Sequence, residues 1–155
     1  MILPRYRVAD SLIPGAGKGL FADEFVARGR LITAPDAIPQ VYRFEEIERM
    51  PDAAQLLPAT VRWFEDRYTV TPEWPDECYI NHSFEPSGLW HLGFVFALHD
   101  LAPGTEITVD YRHLLAPGQS EDFPDARTGG AIVGYSWEES LRTSTAQLLA
   151  LTERR

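Results

Sequence analysis

Short apolar runs separated by glycine and proline mark the first third of the chain. Arg5–Ala9 reads as a strand, Leu20-Phe21-Ala22 as a second, and Arg30–Thr33, after the turn at Arg28-Gly29, as a third. Short strands with this punctuation favour a mainly β architecture. From Pro35 to Asp66 the period changes. Phe44, Ile47 and Met50 recur at helical spacing, and Asp52 with Gln55 has the form of a capping box. This stretch predicts a helical insertion between two groups of strands. Strand-like sequence resumes at Tyr68 and Val70.

Further along, Phe94, Phe96 and Leu98 alternate with Val95 and Ala97. Both faces are apolar, which predicts a strand buried on both sides. Pro103-Gly104 marks a turn, and Thr105–Val109 alternates as a strand does. Alternation puts Glu106 and Asp110 on one face, where they read as a polar edge. Residues 116–130, rich in Pro, Gly and acid, predict a loop. Ser136 and Glu139 form a capping box ahead of a last helix, whose Trp137, Leu141, Leu148 and Leu151 share an apolar stripe. The expected organisation is a single domain. Its core spans 1–115 with the insertion at about 35–66, and a C-terminal flank of loop plus helix spans 116–155.

The composition narrows the choice of partner. The 155 residues suit one domain, and a hydrophobic share of 45% is typical of globular chains. The net charge is −9 and Lys18 is the single lysine, so direct binding to a nucleic-acid backbone is not expected. The charge either steers a basic protein or peptide to the surface or serves only solubility. One cysteine, Cys78, excludes an intrachain disulfide and a Cys-based zinc site, and no metal is expected. Cys78 reads as a small buried apolar residue. No leader-like segment or membrane-spanning apolar run stands out, so the default compartment is the cytoplasm and no membrane partner is expected.

Three separated segments carry the candidate chemistry: Gly15-Ala16-Gly17-Lys18-Gly19-Leu20-Phe21-Ala22, Tyr79-Ile80-Asn81-His82-Ser83-Phe84-Glu85-Pro86, and Gly104-Thr105-Glu106-Ile107-Thr108-Val109-Asp110-Tyr111. Singly they are weak. A Gly-rich turn usually needs only positive φ, and a strand-end tyrosine is common. Taken in order, they resemble the SET-domain family of protein lysine methyltransferases, with its G-x-G, N-H-S-x-x-P and E-x-T-x-D-Y signatures. The resemblance runs from about Ser11 to Tyr111. The chain departs from the family pattern at Phe84 and Ser87, and it lacks the zinc-binding cysteine cluster of many relatives.

The resemblance implies a β-clip-like fold of small curved sheets with a pseudoknot that brings Asn81, His82 and Tyr111 together. It implies S-adenosylmethionine as cofactor and a lysine-presenting basic protein or peptide as substrate. It assigns Ala16, Gly17, Lys18, Asn81, His82, Tyr111 and Trp137 to the cofactor. The lysine channel would take Tyr68, Trp90 and Tyr111, with the Tyr111 hydroxyl as the catalytic group. A minimal domain of this kind can also pair as a homodimer. The alternative is a SET fold that binds protein, or forms an oligomeric scaffold, without catalysis.

Overall fold

The two strands that flank the Gly-rich turn, β1 (Tyr6–Asp10) and β2 (Lys18–Ala22), form an antiparallel hairpin with Tyr6 opposite Ala22. The computed structural model describes residues 1–36 and 40–153. The parts of the expected insertion at 37–39 and of the expected flank at 154–155 lie outside the described residues. After β3 (Leu31–Thr33), the insertion begins with two short helices, α1 (Phe44–Glu48) and α2 (Ala53–Leu56). Ile47 is the buried anchor of α1, packed with Tyr68 and Phe44. The Asp52 side chain makes no capping hydrogen bond, contrary to the expected box. It is Glu46 that accepts a terminal N–H, from Arg43 at 2.7 Å.

The insertion is not helical throughout. From Thr60 the chain is a strand, β4 (Thr60–Phe64), paired antiparallel with β5 (Arg67–Val70). The β-branched and aromatic residues of Thr60-Val61-Arg62-Trp63-Phe64 suit a pleated surface better than a helix. Next come β6 (Asn81–His82), β7 (Gly88–His91) and β8 (Phe94–Ala97). In β8 only one face is buried: Val95 and Ala97 are inside, whereas Phe94 is 39% exposed and Phe96 half-buried. The strand is therefore covered on one side, not both.

β9 (Glu106–Val109) is the central element. It lies between β2 and β6 in a four-stranded sheet of order β1-β2-β9-β6. Its pairing with β6 is parallel, Asn81 opposite Thr108 and His82 opposite Val109. A second sheet has the order β3-β8-β7. The main core joins both sheets through Leu20, Ile32, Val95, Leu101, Ile107 and Val109, each essentially unexposed. Each such side chain contributes about 1.5–3 kcal/mol by leaving water. With neighbours on both edges, β9 has no solvent edge. Glu106 and Asp110, read above as a polar edge, are buried.

The expected loop at 116–130 contains a strand. β10 (Ser120–Pro124) pairs irregularly with β11 (Ala131–Val133). Acidic residues and a proline disguise it, and pairing rather than propensity sets its shape. The last helix, α3 (Trp137–Thr152), starts where expected, with Ser136 Oγ accepting the Glu139 N–H at 3.1 Å. Its most buried positions are Ser140 and Ser144, while Trp137, Leu141, Leu148 and Leu151 are half-buried. Each serine meets a histidine of the core: Ser140 Oγ is 2.8 Å from His113 Nδ1, and Ser144 Oγ is 2.9 Å from His91 Nδ1. The helix thus docks through two polar pins set in an apolar stripe.

Those pins make the fold acid-sensitive. Burial pushes His113 down to about 4, while an unfolded histidine titrates near 6.5. The neutral imidazole therefore contributes its full stability above about pH 6.5, and loses it as the pH falls toward 4. Between pH 7.5 and 5 the loss attributable to His113 should be about 2 kcal/mol. Burial also lowers His82 and His91, and both add in the same direction. Urea unfolding at the two pH values checks His113 alone when wild type is set against His113→Asn, which should be less acid-sensitive by that amount. An identical pH dependence in both proteins would remove the buried imidazole as the cause.

Candidate functional site

A cleft of about 1580 Å3 opens beside β6 and the segment that follows β9. The Gly-rich turn borders it through Ala16 and Lys18, and Asn81, His82 and Tyr111 form its inner wall. Trp63 of the insertion hairpin and Trp90 of β7 also line it, while Tyr68, which borders it too, is only 2% exposed and packs into the second core with Ile47. Seven of the sequence-expected site residues thus converge: Ala16, Lys18, Tyr68, Asn81, His82, Trp90 and Tyr111. Gly17 sits in the same turn at φ +73° but does not line the cleft. Trp137 is half-buried at the start of α3 and lines neither this cleft nor the smaller one behind Phe84.

The placement of Tyr111 follows from the strand before it. β9 is fixed by four buried positions, and Asp110 then caps a tight turn by accepting the Arg112 N–H at 3.0 Å. This turn carries Tyr111 back toward β6. Its backbone N–H donates to His82 Nδ1 at 3.1 Å, and its hydroxyl donates to the Ile80 carbonyl at 2.8 Å. Burial pushes the phenol pKa up, and the nearby Glu121 and Cys78 push the same way. The hydroxyl therefore stays neutral at any physiological pH.

The Gly-rich turn is tied to the same strand by a carboxylate that the sequence reading passed over. Glu106 accepts the Ser11 hydroxyl at 2.6 Å, the Leu12 N–H at 2.8 Å and the Asn81 side-chain amide at 3.0 Å. Asn81 also donates to the Lys18 carbonyl at 2.8 Å. Its amide fixes the turn rather than standing free for a ligand. Gly19 is required for this closeness, because a Cβ there would lie 2.4 Å from Glu106 Oε1. Lys18 points outward and pairs with Asp10 at 2.6 Å.

The charge of the cleft is acidic. Glu73, Glu77 and, from β10, Glu121 and Asp122 line it. Burial raises the Glu121 carboxyl, with Asp122 adding to the effect. Cys78 is half-buried in the cleft wall, not inside the core as expected, with Sγ 3.6 Å from Thr71 Oγ1. Burial pushes its thiol up, so it is not a ready nucleophile. Among the described residues no cluster of His, Cys, Asp or Glu is arranged to hold a metal ion.

Three site-supporting residues escaped the sequence reading for different reasons. Glu106 lay in a quoted motif, but alternation alone does not say which sheet edge a strand faces. Ser87 departs from the family pattern, yet it is buried and satisfied: its hydroxyl donates to the Glu106 carbonyl and accepts the Thr108 N–H, both at 3.0 Å. Asp125, which contacts His82 from the β10–β11 loop, follows no local pattern in the sequence.

A cofactor of the size of S-adenosylmethionine fits these residues. Ligand sites usually span about 300–1,000 Å3, so the cleft has room for a cofactor and a substrate side chain together. Curated proteins give no match to the chain. The fold is similar to a solved structure described as ctPRC2 in complex with H3K27me3 and H3K27M, with a TM-score of 0.57 and 16% sequence identity. The overlap covers 85% of this chain and 16% of that one, so the chain spans a small part of that neighbour's length. At such an identity the likeness speaks for the fold alone. Residues 17–112 match the family model of the SET domain, a span that holds more than half of the chain and includes Asn81, His82 and Tyr111. The signatures, the strand arrangement and this match agree, and the chain belongs to the SET-domain family.

Proposed function

We propose that the protein transfers a methyl group from S-adenosylmethionine to the ε-amine of a lysine in a basic protein or peptide. One observation carries this reading: the neutral hydroxyl of the half-buried Tyr111, pinned by the Ile80 carbonyl, stands at the wall of a cleft that the Gly-rich turn also borders. The cofactor would supply an electrophilic methyl group on a sulfonium. Main-chain groups around Ala16 to Lys18 and at Asn81 and His82 would hold it. Tyr68, Trp90 and Tyr111 would enclose the lysine.

A free lysine is protonated at pH 7, with only about one in a thousand neutral. The amine must lose its proton before it attacks, and apolar walls such as Trp63, Tyr68 and Trp90 favour that loss by disfavouring the charged form. The carboxylates at the cleft's borders favour approach of a basic segment in the first place. Tyr111 then orients the amine and the methyl through a hydrogen bond and a weak C–H···O contact. Ser87, the departure that would have pointed to an inactive fold, is accounted for as a satisfied core residue.

The test joins binding to turnover. Cofactor at 100 times its dissociation constant should stabilise the fold by about 2.7 kcal/mol. Labelled cofactor with a proteome extract should mark lysines. No stabilisation and no label together would sink the reading in favour of a non-catalytic binding module.

The product should be monomethyl-lysine. Trp90 is half-buried, packs against the main core and lines the cleft with its bulky ring. Its ring would crowd an amine that already carries a methyl group. Trp90→Phe should shift the product toward di- and trimethyl-lysine, read by mass spectrometry of a reacted peptide. Trimethyl-lysine as the main wild-type product would refute this role.

A further inference from the structure

The signature histidine carries one nitrogen that the fold leaves without a hydrogen bond. His82 Nδ1 accepts the Tyr111 N–H at 3.1 Å, which requires the neutral ring to bear its proton on Nε2. That Nε2 is buried and has no hydrogen-bond partner among the described residues. Asp125 Oδ2 lies 3.6 Å from it, and the Asp110 carboxylate and the Val109 backbone also act on the ring. The His82 and Asp125 side chains are both 3% exposed.

Asp125 lies beyond the part of the chain that matches the family, between β10 and β11. Its carboxylate is firmly placed. Oδ1 accepts both the N–H and the hydroxyl of Thr128 at 2.7 Å, and Oδ2 accepts the Phe84 N–H at 3.3 Å. Burial alone would raise this carboxyl, but the hydrogen bonds from Thr128 and Phe84 outweigh it and hold the group below its ordinary value. Oδ2 keeps a lone pair toward His82. The imidazole is also held in plane by Phe84, edge-on at 4.8 Å, and by the Tyr111 ring at 5.4 Å. Among the described residues no other anion lies within ion-pair distance of His82.

We propose that Asp125 is a positioning residue that selects the Nε2–H tautomer of His82 and so keeps Nδ1 free to anchor the Tyr111 backbone. The ring nitrogen that bears the proton is set by what the other nitrogen meets. Contacts of this sort in an unliganded site are often long and tighten when the site fills. β10 carries Glu121, Asp122 and Phe123 into the cleft wall, and Asp125 follows directly after it. With the opposite tautomer Nδ1 would carry a proton against the Tyr111 N–H, and the turn that holds the phenol would shift. The kinetic part of this assignment rests on the proposed methyl transfer; the tautomer does not.

The experiment uses histidine-selective nitrogen-15 NMR on the full chain, for wild type, Asp125→Ala and Asp125→Asn. Wild-type His82 should show Nε2 protonated and Nδ1 bare, with a downfield, slowly exchanging Nε2 proton. Asp125→Ala should mix the tautomers and lose that proton signal. Asp125→Asn offers a neutral oxygen and should keep the tautomer with the proton moved upfield. Misplacing a reactive group by an ångström costs up to about a hundredfold in rate, so a partial shift should lower kcat in Asp125→Ala by about tenfold. Cofactor affinity should stay within about twofold, and Asp125→Asn should recover part of the rate. A wild-type ring protonated on Nδ1 overturns the assignment, as does an unchanged His82 spectrum in Asp125→Ala. If Asp125→Ala does not fold, the upfield shift in Asp125→Asn decides, and its absence overturns the assignment. If the wild type transfers no methyl group, the proposed function fails while the spectra still decide the role of Asp125.

Discussion

Tyr111→Phe should abolish nearly all methyl transfer while leaving a folded protein that still binds its cofactor. The substitution keeps the ring, and the ring is what packs: Tyr111 lies against the main core and beside His82. The loss is one hydroxyl and one hydrogen bond, from that hydroxyl to the Ile80 carbonyl at 2.8 Å. Leaving a buried carbonyl unpaired costs about 1–3 kcal/mol, a tolerable part of a domain's stability. The backbone bond from Tyr111 to His82 survives, because it belongs to the main chain. The kinetic loss is of a different size. A preorganised group that acts in the transition state is worth on the order of a hundredfold or more in rate. Burial raises the phenol pKa, so the group lost is a neutral hydroxyl at every pH of interest, and the defect should not be rescued by changing the pH. Calorimetry of cofactor binding and methyl transfer to a lysine peptide, run on both proteins, separates the two effects. Equal turnover would take Tyr111 out of the mechanism. A tenfold or larger loss of cofactor affinity would make it a binding residue instead.

That Tyr111 stood out at all came from order, not from local pattern. Three weak segments in sequence identified the family, and the family placed Asn81, His82 and Tyr111 together. The parallel contact of β6 with β9 is invisible to periodicity, because β6 is two residues long and its partner lies far along the chain. Elements with a clear period were legible: the strands at 6–10 and 18–22, the helix at 44–48 and the long C-terminal helix with its Ser136 cap. Where composition and context conflict, the reading failed. Ser120–Pro124 has the acidic residues and proline of a loop, yet pairing with Ala131–Val133 makes it a strand. Gly93–Leu98 looks apolar on both faces, yet Phe94 and Phe96 are left partly to solvent. Ser140 and Ser144 went unread beside the apolar stripe of the last helix, and are contacts because His113 and His91 lie opposite. Polar residues inside a fold are chosen for a partner, and partners distant in sequence leave no period to read.

Arg62 is the strongest case, and Arg62→Met should cost about 4 kcal/mol, a large share of what a domain of this size has to lose. The residue sits in the middle of β4 and is 1% exposed, so it should be read first as a core position. No carboxylate pairs with it among the described residues. Its guanidinium donates instead to three main-chain carbonyls: His113 at 3.2 Å, Tyr135 at 2.9 Å and Arg112 at 3.4 Å. Its own N–H donates to the Leu114 carbonyl at 2.8 Å. One side chain thereby ties the insertion hairpin to the turn that follows Tyr111 and to the segment that leads into α3. Burial pulls the guanidinium pKa below its ordinary value, but arginine remains charged at any pH the protein meets. Methionine fills a similar volume and removes the cost of burying a charge, which limits the loss. The His113 and Tyr135 carbonyls then lose this donor, while the Arg112 carbonyl keeps the Tyr135 N–H at 2.8 Å, and leaving buried acceptors unpaired costs about 1–3 kcal/mol each before relaxation. Arg62→Lys keeps the charge but replaces a planar fork of donors with a single ammonium, so it too should destabilise. Urea denaturation of all three proteins measures the stabilities, and methyl transfer at a temperature where each stays folded measures the rest. Turnover should fall in both variants, because two of the three carbonyls that the Arg62 guanidinium holds belong to Arg112 and His113, directly after Tyr111. A stability loss under 1 kcal/mol in Arg62→Met would show that the carbonyls find water or other donors, and that the buried cation is not what joins the hairpin to the active turn.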